Sequence, residues 1–176
     1  GSGCLAISLA KEYINSKVIA TDISKRALKI AKKNSNMLKT SKQINFIKSN
    51  WINSRNNFNI IVINPPYLSQ SEYNNSSKEI KNYEPKRALL GGHDGLTCYR
   101  ILAKKLEKIA NANTIIFVEI GNNQLKKSIK IFAEFGINCL EIVKDYQKIA
   151  RVIVLKKITN IYWLFDLRMY KYLDKK

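Results

Sequence analysis

The chain has 176 residues, 45% of them hydrophobic, and a formal net charge of +18. That is enough for one domain with a real core, and no run is long and apolar enough to span a bilayer. Cys4, Cys98 and Cys139 are scattered without metal-ligand spacing, which excludes a disulfide scaffold and, with no secretory signal at the start, predicts reduced thiols in a cytoplasm. The positive charge fits an acidic partner such as RNA or DNA. Lysine, isoleucine and asparagine nevertheless recur along the whole chain, as AT-biased coding produces, and that compositional reading carries more weight.

Gly1-Ser2-Gly3 leads into a helical pattern over residues 4–11. Residues 17–21 read as a short strand ending at Asp22, and Ser24 caps a helix running to about residue 38. Residues 44–47 form a third element, read as a strand. Residues 58–63 are apolar and β-branched, the pattern of a buried parallel strand. Asn64-Pro65-Pro66-Tyr67 follows it directly. A polar connection over 68–93 carries Glu84-Pro85 and Gly91-Gly92, and a connection of that length in a compact domain is usually functional or mobile. A helix over 96–110, a strand over 114–119, a helix over 124–135 and strands over 137–143 and 151–155 complete the pattern. No helix separates the last two strands, so they are expected to be antiparallel. Alternating strands and helices predict an α/β sheet. Residues 158–176, which contain Tyr162-Trp163-Leu164-Phe165, have no evident place in it and form a C-terminal extension of unknown role.

The tetrapeptide at 64–67 carries the strongest functional signal. A proline pair cannot continue a sheet ladder, so the chain leaves the sheet there and displays Asn64 at the carboxyl edge, where open α/β sheets bind ligands. The Asn64 amide oxygen and the Pro65 carbonyl offer two acceptors, and Tyr67 offers a flat face. Together they suit a planar NH2 group. A plain strand-ending turn is the alternative. At the other end, Gly1-Ser2-Gly3 permits close backbone approach to a ligand, and Asp22 lies where an acidic residue meets ribose hydroxyls in mononucleotide-binding folds. Trp51, after Asn50, suits the adenine end of such a ligand or a partly buried core position. His93, the only histidine, lies between glycines and is given no general-base role. No metal site is expected.

These stretches resemble the HemK family, the protein-(glutamine-N5) methyltransferases of peptide-chain release factors. The matching segments are Gly1 to Ala10, Ala20-Thr21-Asp22-Ile23-Ser24, Asn64 to Tyr67, Glu84 to Leu96 and Glu119 to Gln124. The resemblance covers residues 1–157 and implies a Rossmann-like class I methyltransferase sheet. It implies S-adenosylmethionine as cofactor, held by Gly1, Ser2, Gly3, Asp22, Trp51 and Asn64. It implies that Asn64, Pro65, Pro66 and Tyr67 hold the substrate glutamine, with Asn64, Pro65 and Tyr67 catalytic, and that a release factor is the partner. The tetrapeptide alone is shared with adenine-N6 DNA methyltransferases and some rRNA methyltransferases, so a nucleic-acid methyltransferase is the second reading. A non-catalytic remnant is the third. The family's N-terminal helical domain and first, central strand are not in this sequence, so two strands are expected to lack a neighbour. Asn50 and Ala150 stand where the family usually has Asp.

Overall fold

The computed structural model describes residues 1–51 and 57–158; the predicted C-terminal extension, apart from Ile158, lies outside the described residues. The chain divides after Arg55 into two compact units.

The first unit contains α1 (Cys4–Glu12), β1 (Val18–Asp22), α2 (Lys25–Met37) and β2 (Ile44–Lys48). The strands pair in parallel from Val18 opposite Ile44 to Asp22 opposite Lys48. Ile7, Ala10 and Ile44 form the core, with Val18, Ala20 and Phe46 packed against it. Ser24 begins α2 as expected, its hydroxyl accepting from the Ala27 amide at 3.2 Å. Burial of Leu28, Ala31 and Ser35 sets the inward face of that helix.

The second unit contains β3 (Ile60–Ile63), α3 (Gln70–Asn75), α4 (Lys78–Tyr83), α5 (Lys86–Leu89), α6 (Thr97–Ile109), β4 (Ile115–Glu119), α7 (Leu125–Ala133), β5 (Ile137–Lys144) and β6 (Ala150–Lys157). Its sheet runs β3-β4-β6-β5, with β3 and β4 parallel and the last two strands antiparallel, as expected. Ile153, Val154 and Leu155 are buried in succession on β6 because that strand has a neighbour on each side and is covered on both faces. Tyr99, Leu102, Ala103 and Leu106 form the apolar stripe of α6, and Tyr99 meets Phe132 of α7 edge to face at 6.3 Å.

Two differences from the expected pattern have physical causes. The strand predicted from residue 58 begins at Ile60, because Phe58 gives its carbonyl to the Thr114 hydroxyl (2.8 Å) rather than to a ladder. The polar 68–93 connection contains three short helices, two of them started by local side-chain caps. Ser69 and Glu72 close a capping box, and Ser77 accepts from the Ile80 amide. Among the described residues β1 pairs only with β2, and β3 only with β4.

Candidate active site

In the first unit the predicted cofactor residues gather at one end of the sheet. Asp22 ends β1, and Trp51 follows β2 at the same carboxyl edge. One Asp22 carboxylate oxygen accepts from the Ser24 amide at 2.7 Å; the other takes the Gly1 amino group. The Ser2 carbonyl accepts from the Asn34 side chain at 3.0 Å, tying the loop to α2. Gly3 has φ +86, and a Cβ there would lie 2.9 Å from the Ala31 Cβ, so only glycine lets the loop pass this close. Trp51 adopts φ +67, unusual for a bulky residue and the kind of strained backbone that collects at ligand sites.

In the second unit Asn64 is exposed at the carboxyl end of β3, and among the described residues its side chain has no hydrogen-bond partner. Pro65 is buried beneath it. The rest of the tetrapeptide is tightly held. Leu68 donates to the Leu89 carbonyl at 2.9 Å, and Gly91 donates back to the Leu68 carbonyl at 2.8 Å. The Tyr67 carbonyl accepts from the Gln124 side-chain nitrogen at 2.8 Å. Burial pushes the Tyr67 hydroxyl pKa up, and the charge and hydrogen bond of Glu119 push it further, against a smaller opposing effect of Arg151. Tyr67 is therefore a neutral donor at ordinary pH.

Three glycines surround this turn. A Cβ on Gly91 would lie 2.7 Å from the Pro66 carbonyl oxygen, one on Gly95 2.4 Å from the Tyr67 carbonyl oxygen, and one on Gly121 2.9 Å from the Tyr67 ring. The 84–96 motif is thus a backbone cradle for the tetrapeptide. Gln124, Tyr99, Glu119 and these glycines were not marked as site residues by sequence reasoning. The glycine pattern in 91–95 and the Glu119–Gln124 stretch were the available signals, but neither reveals its spatial partner. His93 is exposed, and its backbone carbonyl accepts from the Gln70 amide.

Asp94 closes the cradle by accepting from the Leu96 amide (3.0 Å) and pairing with Arg100 through two contacts of 2.6 and 3.2 Å. The Arg100 guanidinium, with the Leu96 amide, holds the Asp94 carboxyl at about 2, below its ordinary 3.8. A depressed folded-state pKa contributes stability that is present above about pH 4 and is lost as pH falls through 2. The pair is exposed, so its contribution is screened to about 0.5 kcal/mol or less. Denaturant titrations of Asp94→Asn and the parent are expected to differ at pH 6 and to converge near pH 2.

Among the described residues, no cluster of His, Cys, Asp and Glu suits a metal ion. No helix among them is long and apolar enough to cross a membrane.

A parallel β1–β2 pair flanked by helices in the first unit, and a parallel β3–β4 pair joined to the antiparallel β6 and β5 in the second, are features of the Rossmann-like class I methyltransferase fold. A ribosomal protein L11 methylase from Lactobacillus delbrueckii subsp. bulgaricus superposes with a TM-score of 0.60 at 20% identity, over 90% of this chain and 66% of that one. The family model for the methyltransferase small domain matches residues 1–82. Within this class, the resemblance to the HemK family read from the motifs holds. The chain is 38% identical over 163 residues to a release factor glutamine methyltransferase of Thermodesulfovibrio yellowstonii, covering 92% of this chain and 58% of that protein. It is 42% identical over 177 residues to a bifunctional methyltransferase of Rickettsia typhi, covering 99% of this chain but 34% of the relative. The chain thus spans between a third and three-fifths of these curated relatives. The fold and family imply S-adenosylmethionine as the methyl donor. The first unit fits such a group: a glycine loop that a side chain would block, a carboxylate beside it, and a strained tryptophan on the same edge.

Proposed function

We propose that this chain is the methyltransferase region, residues 1–157, of a cytoplasmic enzyme that methylates the side-chain amide nitrogen of a glutamine in a peptide-chain release factor. The observation that carries this reading is Asn64, exposed and without a hydrogen-bond partner among the described residues, three positions before a Tyr67 carbonyl that is held by Gln124. The names of the curated relatives support the choice of substrate.

In this reading Gly1 to Gly3, Asp22 and Trp51 hold S-adenosylmethionine, Asp22 through the ribose hydroxyls and Trp51 against the base. When bound, the group supplies an electrophilic sulfonium methyl. A carboxamide nitrogen is a poor nucleophile, because its lone pair is delocalised, so the protein's contribution is orientation. The Asn64 side-chain oxygen and the Pro65 carbonyl accept the two amide hydrogens. Tyr67 sets the amide plane. Both acceptors gain strength as positive charge grows on the nitrogen, so they favour the transition state over the ground state. The methylated nitrogen is acidic and loses its proton to water, without a dedicated base. The test is methylation of a glutamine-containing release-factor fragment by the full-length protein. Donor binding without transfer to any glutamine would overturn the substrate assignment.

A nucleic-acid substrate is the second reading, and one observation favours it. Between Asp22 and Glu72 the sequence has no acidic residue, and Lys25, Arg26, Lys29, Lys32 and Lys33 are all exposed on α2. RNA binding through this face would weaken by roughly tenfold or more between 50 and 200 mM salt. Under the release-factor reading, a filter-binding titration is expected to show no such dependence at micromolar RNA.

A further inference from the structure

We infer that Gln124 is a positioning residue for methyl transfer, acting through the Tyr67 carbonyl to hold the Asn64–Tyr67 turn in register; this rests on the function proposed above. Gln124 lies immediately before α7 and is 8% exposed. Both ends of its amide are used. Its nitrogen donates to the Tyr67 carbonyl at 2.8 Å. Its oxygen accepts from the Tyr99 hydroxyl at 3.0 Å and from the Gly121 amide at 3.1 Å. Tyr99 has no exposed surface and is anchored in the core against Phe132. The Gly121 amide is shared with the Tyr99 hydroxyl at 3.2 Å. A rigid chain of contacts therefore runs from the core, through Tyr99 and Gln124, to the backbone of the substrate-holding turn.

Several features distinguish this from ordinary satisfaction of a buried polar group. The bond goes to the peptide joining Tyr67 to Leu68, where the chain enters its pairing with residues 89–91. Space beside it is left open by glycine. A Cβ on Gly121 would lie 2.6 Å from the Gln124 side-chain oxygen, and one on Gly95 would lie 2.7 Å from its nitrogen. The Tyr67 ring lies against Gly121, where an added Cβ would fall 2.9 Å from it. Its side chain and its backbone thus have separate restraints, and Gln124 supplies the second.

Gln124→Glu tests this with little change of shape. The introduced carboxylate still accepts from Tyr99 and Gly121 but, when ionised, has no hydrogen for the Tyr67 carbonyl. In the full-length protein, kcat with a glutamine peptide is expected to fall roughly ten- to hundredfold, while affinity for S-adenosylmethionine stays within about twofold. Burial raises the pKa of the introduced carboxyl, and its protonated form can donate again. The ratio of variant to parental kcat is therefore expected to rise as pH falls. Hydrogen exchange gives a readout free of activity: the Leu68 and Gly91 amides should exchange faster in Gln124→Glu and in Gln124→Leu, while Ile116 and Val118 keep parental protection. Unchanged exchange at Leu68 and Gly91 would overturn the inference. So would faster exchange spread evenly over the β3-β4-β6-β5 sheet, or a kcat ratio flat in pH. If the parental protein methylates no glutamine, the proposed function fails, and the exchange measurements still decide the role of Gln124.

Discussion

Asn64→Ala is expected to abolish methyl transfer while leaving the fold and most of the donor affinity in place. The expectation follows from where the side chain is and from what it lacks. Asn64 is exposed and has no partner among the described residues, so its removal leaves no orphaned buried group and no cavity. The stability change should fall within about 0.5 kcal/mol, as for other surface positions. The lost carbonyl, by contrast, is one of only two acceptors proposed for the substrate amide. Losing a preorganised acceptor that works mainly in the transition state costs a factor of about 100 to 1,000 in kcat. Asn64→Asp is a useful comparison, because it keeps an acceptor and adds a negative charge near the developing ammonium, so it should retain more activity than alanine. Single-turnover transfer measured alongside calorimetric donor binding separates these effects. Near-normal turnover by Asn64→Ala would remove the positioning argument.

Most of the regular structure was legible because it depends on local signals. The apolar period of 96–110 and the Ser24 cap each name their element without reference to anything distant. Asn64 was legible for a related reason: two prolines after a buried strand leave the chain no route but out of the sheet. The cradle was not. Gly91, Gly95 and Gly121 carry no such signal in the sequence: Gly91 and Gly95 make room for the backbone of residues 66 and 67, Gly121 makes room for the Tyr67 ring and the Gln124 side chain, and both purposes exist only in three dimensions. Gln124 read as the start of a helix for the same reason, since its partner lies 57 positions earlier. The short helices α3 to α5 escaped notice because they bury no residue and so carry no apolar period. Side-chain caps start α3 and α4, while α5 follows Pro85 without one.

Gly95→Ala provides the second large effect, and Gly136→Ala is its control. Both glycines sit at positive φ, +75 and +69, where an L side chain costs about 1–2 kcal/mol. At Gly136 nothing lies within 4 Å of the added Cβ, so that backbone cost is the whole expectation. At Gly95 the same atom would meet the Tyr67 carbonyl oxygen at 2.4 Å, the Gln124 side-chain nitrogen at 2.7 Å and the Ser69 amide nitrogen at 3.1 Å. Two of these are backbone atoms, which cannot swing aside as the end of a flexible side chain can. Relief requires moving the Tyr67 peptide, which breaks its bond to Gln124 and the pairing of Leu68 with residues 89–91. Gly95→Ala should therefore destabilise the protein by about 3 kcal/mol or more, clearly beyond the loss at Gly136. Urea unfolding of the two variants measures the difference directly. Activity should separate them further: the Gly136 variant keeps its methyl transfer in conditions where it is folded, whereas the Gly95 variant loses transfer even there, because the turn that presents Asn64 has shifted. Equal stability losses in the two variants would mean that the backbone of residues 67 to 69 does not pass as close to Gly95 as described, and the cradle would fall with it.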